Sequence, residues 1–240
     1  HGAYIREAEG AVAPALAKHM AALARDLKIE GPRIVVFNPL PWVRDEVVSV
    51  EVPEGTLRGL QDATTGQKVP SEVRATGLRF LALDIPAMGY RTYVGAKDES
   101  GDGDLASDVD SATVQNGAFC LKFDPSRGVV ESLVDKRSDR QLVDKTSKYG
   151  FGQYLYERFD EENVAAFFKA YLKYLPGWAP HFGRSEMPPA SEVGYSATSP
   201  RDFTLDISQG NVSIRATMTA KIDGDGAGSV SLVTTLYREQ

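Results

Sequence analysis

Phe119-Cys120-Leu121-Lys122-Phe123-Asp124-Pro125-Ser126-Arg127-Gly128-Val129-Val130-Glu131-Ser132-Leu133-Val134 is a β-hairpin written out in sequence. Phe119, Leu121 and Phe123 recur at every second position, which puts them on one face of a pleated strand. Asp124 to Gly128 supplies turn residues, and the apolar run from Val129 to Val134 returns as the partner strand. Downstream, Phe203 to Ser208, Asn211 to Ile222 and Ser229 to Leu236 read as further strands, the last two joined by Asp223-Gly224-Asp225-Gly226. Upstream, Glu46 to Pro53 alternates Val48, Val50 and Val52 with Val47, Ser49 and Glu51, and Leu78 to Ile85 and Tyr90 to Val94 are similar. Ile34 to Phe37 is a short apolar run ahead of the turn Asn38-Pro39-Leu40-Pro41. The pattern predicts a mainly β chain of antiparallel β-sandwiches.

Two helices interrupt it. Ile5, Val12, Leu16, Met20, Leu23 and Leu27 form one apolar stripe over residues 3–28, with Pro14 expected to kink the helix or restart it. A lone helix cannot bury its stripe within itself, so it must pack on the sheet or on other helices. Val164, Phe167, Phe168, Tyr171, Leu172 and Leu175 give a second stripe, with Asp160, Glu161 and Glu162 at its positive end and Pro176-Gly177 as its stop. Phe167, Phe168 and Tyr171 are expected in the core. The organisation expected is a leading helix at 1–30, a small sandwich at 31–96, an acidic linker at 97–111, and part of a larger sandwich at 112–240 with a helical insertion at 160–175. The linker holds six carboxylates and one lysine, a composition that favours solvation.

A net charge of −6 and a pI near 5.2 offer no basic field for nucleic acid. No apolar run approaches the roughly 20 residues that cross a bilayer, so neither nucleic acid nor membrane is an expected partner. One cysteine, Cys120, excludes an internal disulfide. His1, His19 and His181 have no second ligand at metal spacing. The Asp-Gly-Asp stretches lack the spaced ligands of a calcium loop, and Asn211-Val212-Ser213 is a short glycosylation pattern that chance produces often. No nucleophile elbow, phosphate loop or zinc-protease motif occurs.

Twelve of the 22 aromatic residues lie between 149 and 195. Tyr154, Tyr156, Glu157 and Arg158 on a strand end, with Trp178 and His181 in the long loop that follows the second helix, are the candidate substrate-binding set. Aromatic faces beside a carboxylate and a guanidinium suit a sugar. The acids at 157–162 are not read as a catalytic pair, because acids at a helix start follow from the dipole alone.

The order of three segments resembles the carboxyl-terminal β-region of the glycoside hydrolase family 38 α-mannosidases. Ile34-Val35-Val36-Phe37-Asn38-Pro39-Leu40-Pro41-Trp42 is similar to the passage out of that family's three-helix bundle. Ile85-Pro86-Ala87-Met88-Gly89-Tyr90-Arg91-Thr92-Tyr93 is similar to the strand closing its first small sandwich. Asn116 to Asp144 resembles the opening hairpins of its large, galactose-mutarotase-like sandwich, and Gly152 to Glu157 the stretch beyond. The likeness ends at Glu161 to Leu175 and the Trp178 loop. The resemblance implies a non-catalytic piece whose partners are the family's catalytic domain and carbohydrate. It places the nucleophile, the acid/base carboxylate and a zinc in that domain, and none of those motifs is present here, so no catalytic residue and no cofactor is assigned to this chain. A free-standing carbohydrate-binding or interaction module is the rival reading. An isomerase of the mutarotase type is a third, for which no histidine and glutamate pair is identifiable.

Overall fold

The computed structural model describes residues 2–53, 55–75, 77–96, 103–171, 194–222 and 228–238. Every strand pairing among them is antiparallel. Helix α1 (Gly2–Asp26) leads into β1 (Arg33–Phe37), β2 (Arg44–Val50), β3 (Gly59–Asp62), β4 (Lys68–Val69), β5 (Ser71–Arg74), β6 (Gly77–Ile85) and β7 (Tyr90–Ala96). These seven strands form a four-stranded sheet, β1-β7-β3-β4, and a three-stranded sheet, β2-β6-β5. Between them lies one cluster that includes Leu60, Leu78, Phe80, Ile85 and Tyr93, with Val48, Val50 and Val52 packed against it. Burying each large side chain of this kind contributes about 1.5–3 kcal/mol. Phe80 and Tyr93 meet edge to face at 4.9 Å, the geometry that the ring quadrupole favours. The Tyr93 hydroxyl, carried into this layer, is pushed up to about 12 by burial and by the nearby Asp62 charge.

The segments around Asn38 and Ile85 meet at one buried side chain. Asn38 Nδ2 donates to the carbonyls of Trp42 (2.7 Å), Ile85 and Pro86 (3.2 Å each), and its Oδ1 accepts from the Leu40 amide. The backbone continues the clasp, with Asn38 N donating to Gly89 O and Met88 N to Leu40 O.

The second part comprises β8 (Ala106–Asp108), β9 (Thr113–Gln115), β10 (Phe119–Asp124), β11 (Val129–Asp135), β12 (Arg140–Gln141), β13 (Tyr156–Arg158), α2 (Glu161–Tyr171), β14 (Ser196–Thr198), β15 (Thr204–Gln209), β16 (Ser213–Ile222) and β17 (Gly228–Tyr237). A five-stranded sheet, β12-β11-β10-β9-β8, faces a three-stranded sheet, β15-β16-β17, while β13 and β14 pair separately. Leu121, Phe123, Val130, Phe203, Ile214 and Met218 belong to the shared core. Phe203 locks onto the β10–β11 turn, where Gly128 has φ 65° and an added Cβ would lie 2.2 Å from the Phe203 ring. Asn116 repeats the asparagine device: Oδ1 accepts from Ala118 N and Phe119 N, and Nδ2 donates to Tyr237 O at 2.8 Å.

Three expectations change. Pro14 starts no second helix, since α1 continues through it, and the carbonyl of Gly10 that proline leaves without a donor belongs to an exposed residue, where water can serve it. Within the stretch read as linker, Ala106–Asp108 adds a wholly exposed edge strand to β9. Phe167 is not core: it is 50% exposed. The side chains of Phe168 and Tyr171, and residues 172–193, lie outside the described residues. No described helix is long and apolar enough to cross a membrane.

α1 is attached through its end rather than its side. Arg33 donates through Nε and Nη2 to Ala24 O, at 2.9 and 2.7 Å, and through Nη1 to Ile29 O. A guanidinium at the last turn serves carbonyls that the helix cannot satisfy itself. No residue of α1 is buried.

The two sandwiches are joined at Glu72 on β5, whose side chain is 6% exposed. Its Oε2 accepts from the backbone N–H groups of Val212 (3.0 Å) and Ser213 (3.2 Å), and its Oε1 from Ser213 Oγ (2.9 Å) and Arg74. Arg79 adds a contact at 3.5 Å. Asn211 Nδ2 donates to Ser71 O beside them, so the amide of the glycosylation pattern is engaged in this contact. Gly210 lies against this contact: a Cβ there would stand 2.1 Å from Glu72 Oε2, so the carboxylate would have to move from its donors.

Burial pushes the Glu72 carboxyl up, but the Val212 N–H, Arg74 and Ser213 outweigh it and hold the group below its ordinary value. A depressed carboxylate stabilises the fold fully above its unfolded value, near 4.5, and that contribution is lost as pH falls through the lower folded value. Glu72→Ala is therefore expected to destabilise by about 3 kcal/mol at neutral pH. In denaturant titrations against pH, the gap from the parent should close only in the acid range below 4.5; a gap independent of pH would contradict the assignment. Gly128→Val should lower stability by about 2 kcal/mol or more, through backbone strain and the Phe203 clash, read by thermal unfolding.

Candidate functional site

The residues singled out in the sequence lie on and around β13. Tyr154 is half-buried, and Tyr156, Glu157 and Arg158 are exposed, paired to β14 as Tyr156↔Thr198, Glu157↔Ala197 and Arg158↔Ser196. Successive strand residues leave opposite faces, so Glu157 is separated from Tyr156 and Arg158 by the ribbon itself. The set is thus divided. Trp178 and His181 lie outside the described residues.

Glu157 finds a different companion. Its Oε1 accepts from the Tyr195 hydroxyl at 2.7 Å, and the Tyr195 ring stands 5.5 Å from that of Phe159. Tyr149 is close enough to influence the Tyr195 phenol, and Lys148 Nζ lies 4.9 Å from the centre of the Tyr149 ring. An ammonium, two phenols and a carboxylate therefore stand in sequence across the chain's surface. Tyr195 is raised, first because its proton is held by Glu157 and then by Tyr149; Tyr149 is lowered, first by Lys148 and then by Tyr195. Asp160 fixes the start of α2, accepting from Asn163 N at 2.8 Å and from Asn163 Nδ2 at 2.5 Å. Its carboxyl is held low by those same bonds, which is the behaviour of a helix cap.

Chemically this is a polar, aromatic-edged surface able to donate and accept hydrogen bonds, which suits a hydroxyl-rich ligand. Tyr149 and Tyr195 belong to the aromatic-rich stretch, but no spacing in the sequence pairs Tyr195 with Glu157. The zinc implied by the family resemblance has no matching donor set: no group of three or more His, Cys, Asp or Glu side chains converges among the described residues.

Glu157→Gln should lower the Tyr195 phenol toward its ordinary value by removing both the charged acceptor and the carboxylate field. The check is a pH titration of the tyrosine ring carbons by NMR. An unmoved Tyr195 would show that Glu157 does not hold its proton.

No protein-family model matches the sequence, and no curated protein matches it. Solved structures do show a likeness. A protein in glycosyl hydrolase family 38 from Enterococcus faecalis aligns over 78% of this chain and 24% of its own, with 12% identity and a TM-score of 0.46. An alpha-mannosidase from Enterococcus faecalis V583 aligns over 78% and 23%, with 14% identity and a TM-score of 0.43. The chain spans less than a quarter of the length of either protein, and a likeness of this degree assigns no activity.

Proposed function

We propose that this chain is a non-catalytic β-region of a glycoside hydrolase resembling the family 38 α-mannosidases. It buttresses a catalytic domain and contributes to the rim of the sugar site. Tyr154, Tyr156, Glu157 and Arg158, with Trp178 and His181, are the residues offered to the sugar, and hydrolysis and zinc belong to the catalytic domain. In this reading the second sandwich is part of a galactose-mutarotase-like one.

The observation that carries the proposal is the exposed amino-terminal part of the α1 stripe, whose later members Met20 and Leu23 are half-buried. Ile5, Val12 and Leu16 are 59%, 62% and 59% exposed, although they form the apolar face of a regular helix. An apolar face of this kind is the mark of an interaction surface, and further helices of a bundle would cover it. The meeting of the Ile34–Trp42 and Ile85–Tyr93 segments at Asn38 adds support, since both carry the resemblance. The rival, a free-standing carbohydrate-binding module, is favoured by the exposed Glu157–Tyr195 pair and has no need of the stripe.

The test uses the double variant Ile5→Glu, Leu16→Glu. Its stability is expected to match the parent within about 0.5 kcal/mol, as for other exposed positions, while capture by a separately produced family 38 catalytic domain is lost. The chain alone should neither hydrolyse an aryl α-mannoside nor bind mannose at millimolar concentration. Turnover by the chain, or tight sugar binding without the catalytic domain, would sink the proposal; the second outcome would establish the module reading instead.

A further inference from the structure

A groove of about 560 Å³ runs along the junction of the two sandwiches, and its lining includes Arg74, Arg79 and Arg215 with Ser49, Glu51 and Thr235. Three guanidiniums in one groove are unexpected on a chain of net charge −6. Like charges brought together destabilise unless something of opposite sign intervenes. Glu72 answers part of that charge, but from behind. Its two oxygens are occupied by Arg74, Arg79, Ser213 and the Val212 N–H.

A donor account shows what is left. A guanidinium carries five N–H donors in a fixed fork. Arg74 uses Nε and Nη2 on Glu72 and Ser213. Arg79 uses Nε on Ser49 Oγ and Nη1 on Glu72 and Ser213, and its Cζ stands 5.9 Å from the centre of the Tyr237 ring. Arg74 Nη1 and Arg79 Nη2 make no hydrogen bond to a described residue, and both side chains are held in place by the bonds they do make. Arg215, on an outward position of β16, makes no ion pair and no side-chain hydrogen bond among the described residues. Pinned guanidiniums with spare donors, beside a third that is unengaged, form a pre-organised receptor for an oxyanion.

We propose that this groove is a binding site for a small oxyanion, either free phosphate or the phosphate of a phosphorylated sugar. The site is independent of the β13 surface and of the function proposed above. Arg215 is its main contact, Arg74 and Arg79 complete it, and Glu51 is the one carboxylate lining the groove among the described residues that opposes the ligand.

Calorimetric titration of the full chain with inorganic phosphate, and separately with glucose-6-phosphate, tests it. Saturable single-site binding is expected. Arg215→Ala should weaken it about tenfold, the scale of one charge-assisted pair. Glu51→Gln should tighten it, because it removes a like charge from the ligand's surroundings. Lys18→Ala, on the exposed α1, makes the same change of charge as Arg215→Ala and should leave binding unchanged. Equal affinity for the two ligands assigns the site to the bare oxyanion, and tighter binding of glucose-6-phosphate assigns it to the phosphorylated sugar. No saturable heat up to about 10 mM, or equal losses in Arg215→Ala and Lys18→Ala, would overturn the proposal.

Discussion

One buried carboxylate sets the relation between the halves of this molecule. Glu72 belongs to an edge strand of the first sandwich, yet its oxygens close on backbone and side-chain donors 140 and 141 residues later in the chain. A charge removed from water is costly unless its lone pairs are filled. Six donors fill these, two of them backbone N–H groups at the start of β16. Because backbone amides have fixed directions, they specify position as well as neutralising charge. The glycine at 210 fits the same constraint, since an added Cβ would displace the carboxylate from its present place. The arginine groove follows too: the guanidiniums that balance Glu72 are drawn to the junction and then held there with donors to spare.

The strands legible in the sequence are those in which burial alternates. Leu121 and Phe123 are buried on one face of β10, and Val48 and Val50 pack on the first core, as a period of two requires. Strands β3 to β5 escaped that reading because the segment is punctuated by Gly55, Gly66 and Pro70 and holds Asp62 and Glu72, which resemble solvent-facing residues. Both acids are in fact buried. Asp62 is retained by the amides of Thr64 and Thr65 and by Arg91, each within 3 Å. A buried ion pair across strands carries no periodic signature.

The opposite error arose at α2. Helical periodicity states which side chains share a face, not how deeply that face is buried, and Phe167 on a well-formed stripe is half exposed. The candidate site shows the same division. Aromatic density drew attention to residues 149–195, and Glu157 is indeed engaged there. Its partner is Tyr195, 38 positions away, brought near by the β13–β14 pairing, and strand alternation sends Tyr156 and Arg158 to the other side. Composition located the region, while register decided which side chains act together.

The attachment of α1 bears on what the whole chain is for. A helix that belongs to a core is held by its apolar face, and its ends are incidental. Here the reverse holds: Arg33 binds the Ala24 carbonyl in the last turn, and the amino-terminal part of the face, with Ile5, Val12 and Leu16, is left open. Polar anchoring at one end fixes where the helix begins to project without burying the surface it projects. Asn38 and its clasp stiffen the strand end just beyond, so the anchor rests on a rigid sheet. Such an arrangement adds little to the stability of a sandwich and leaves Ile5, Val12 and Leu16 open to contact while the sandwich remains intact. On the function proposed above, that is the mechanical property a buttressing β-region needs, whereas a self-sufficient binding module would have no use for it.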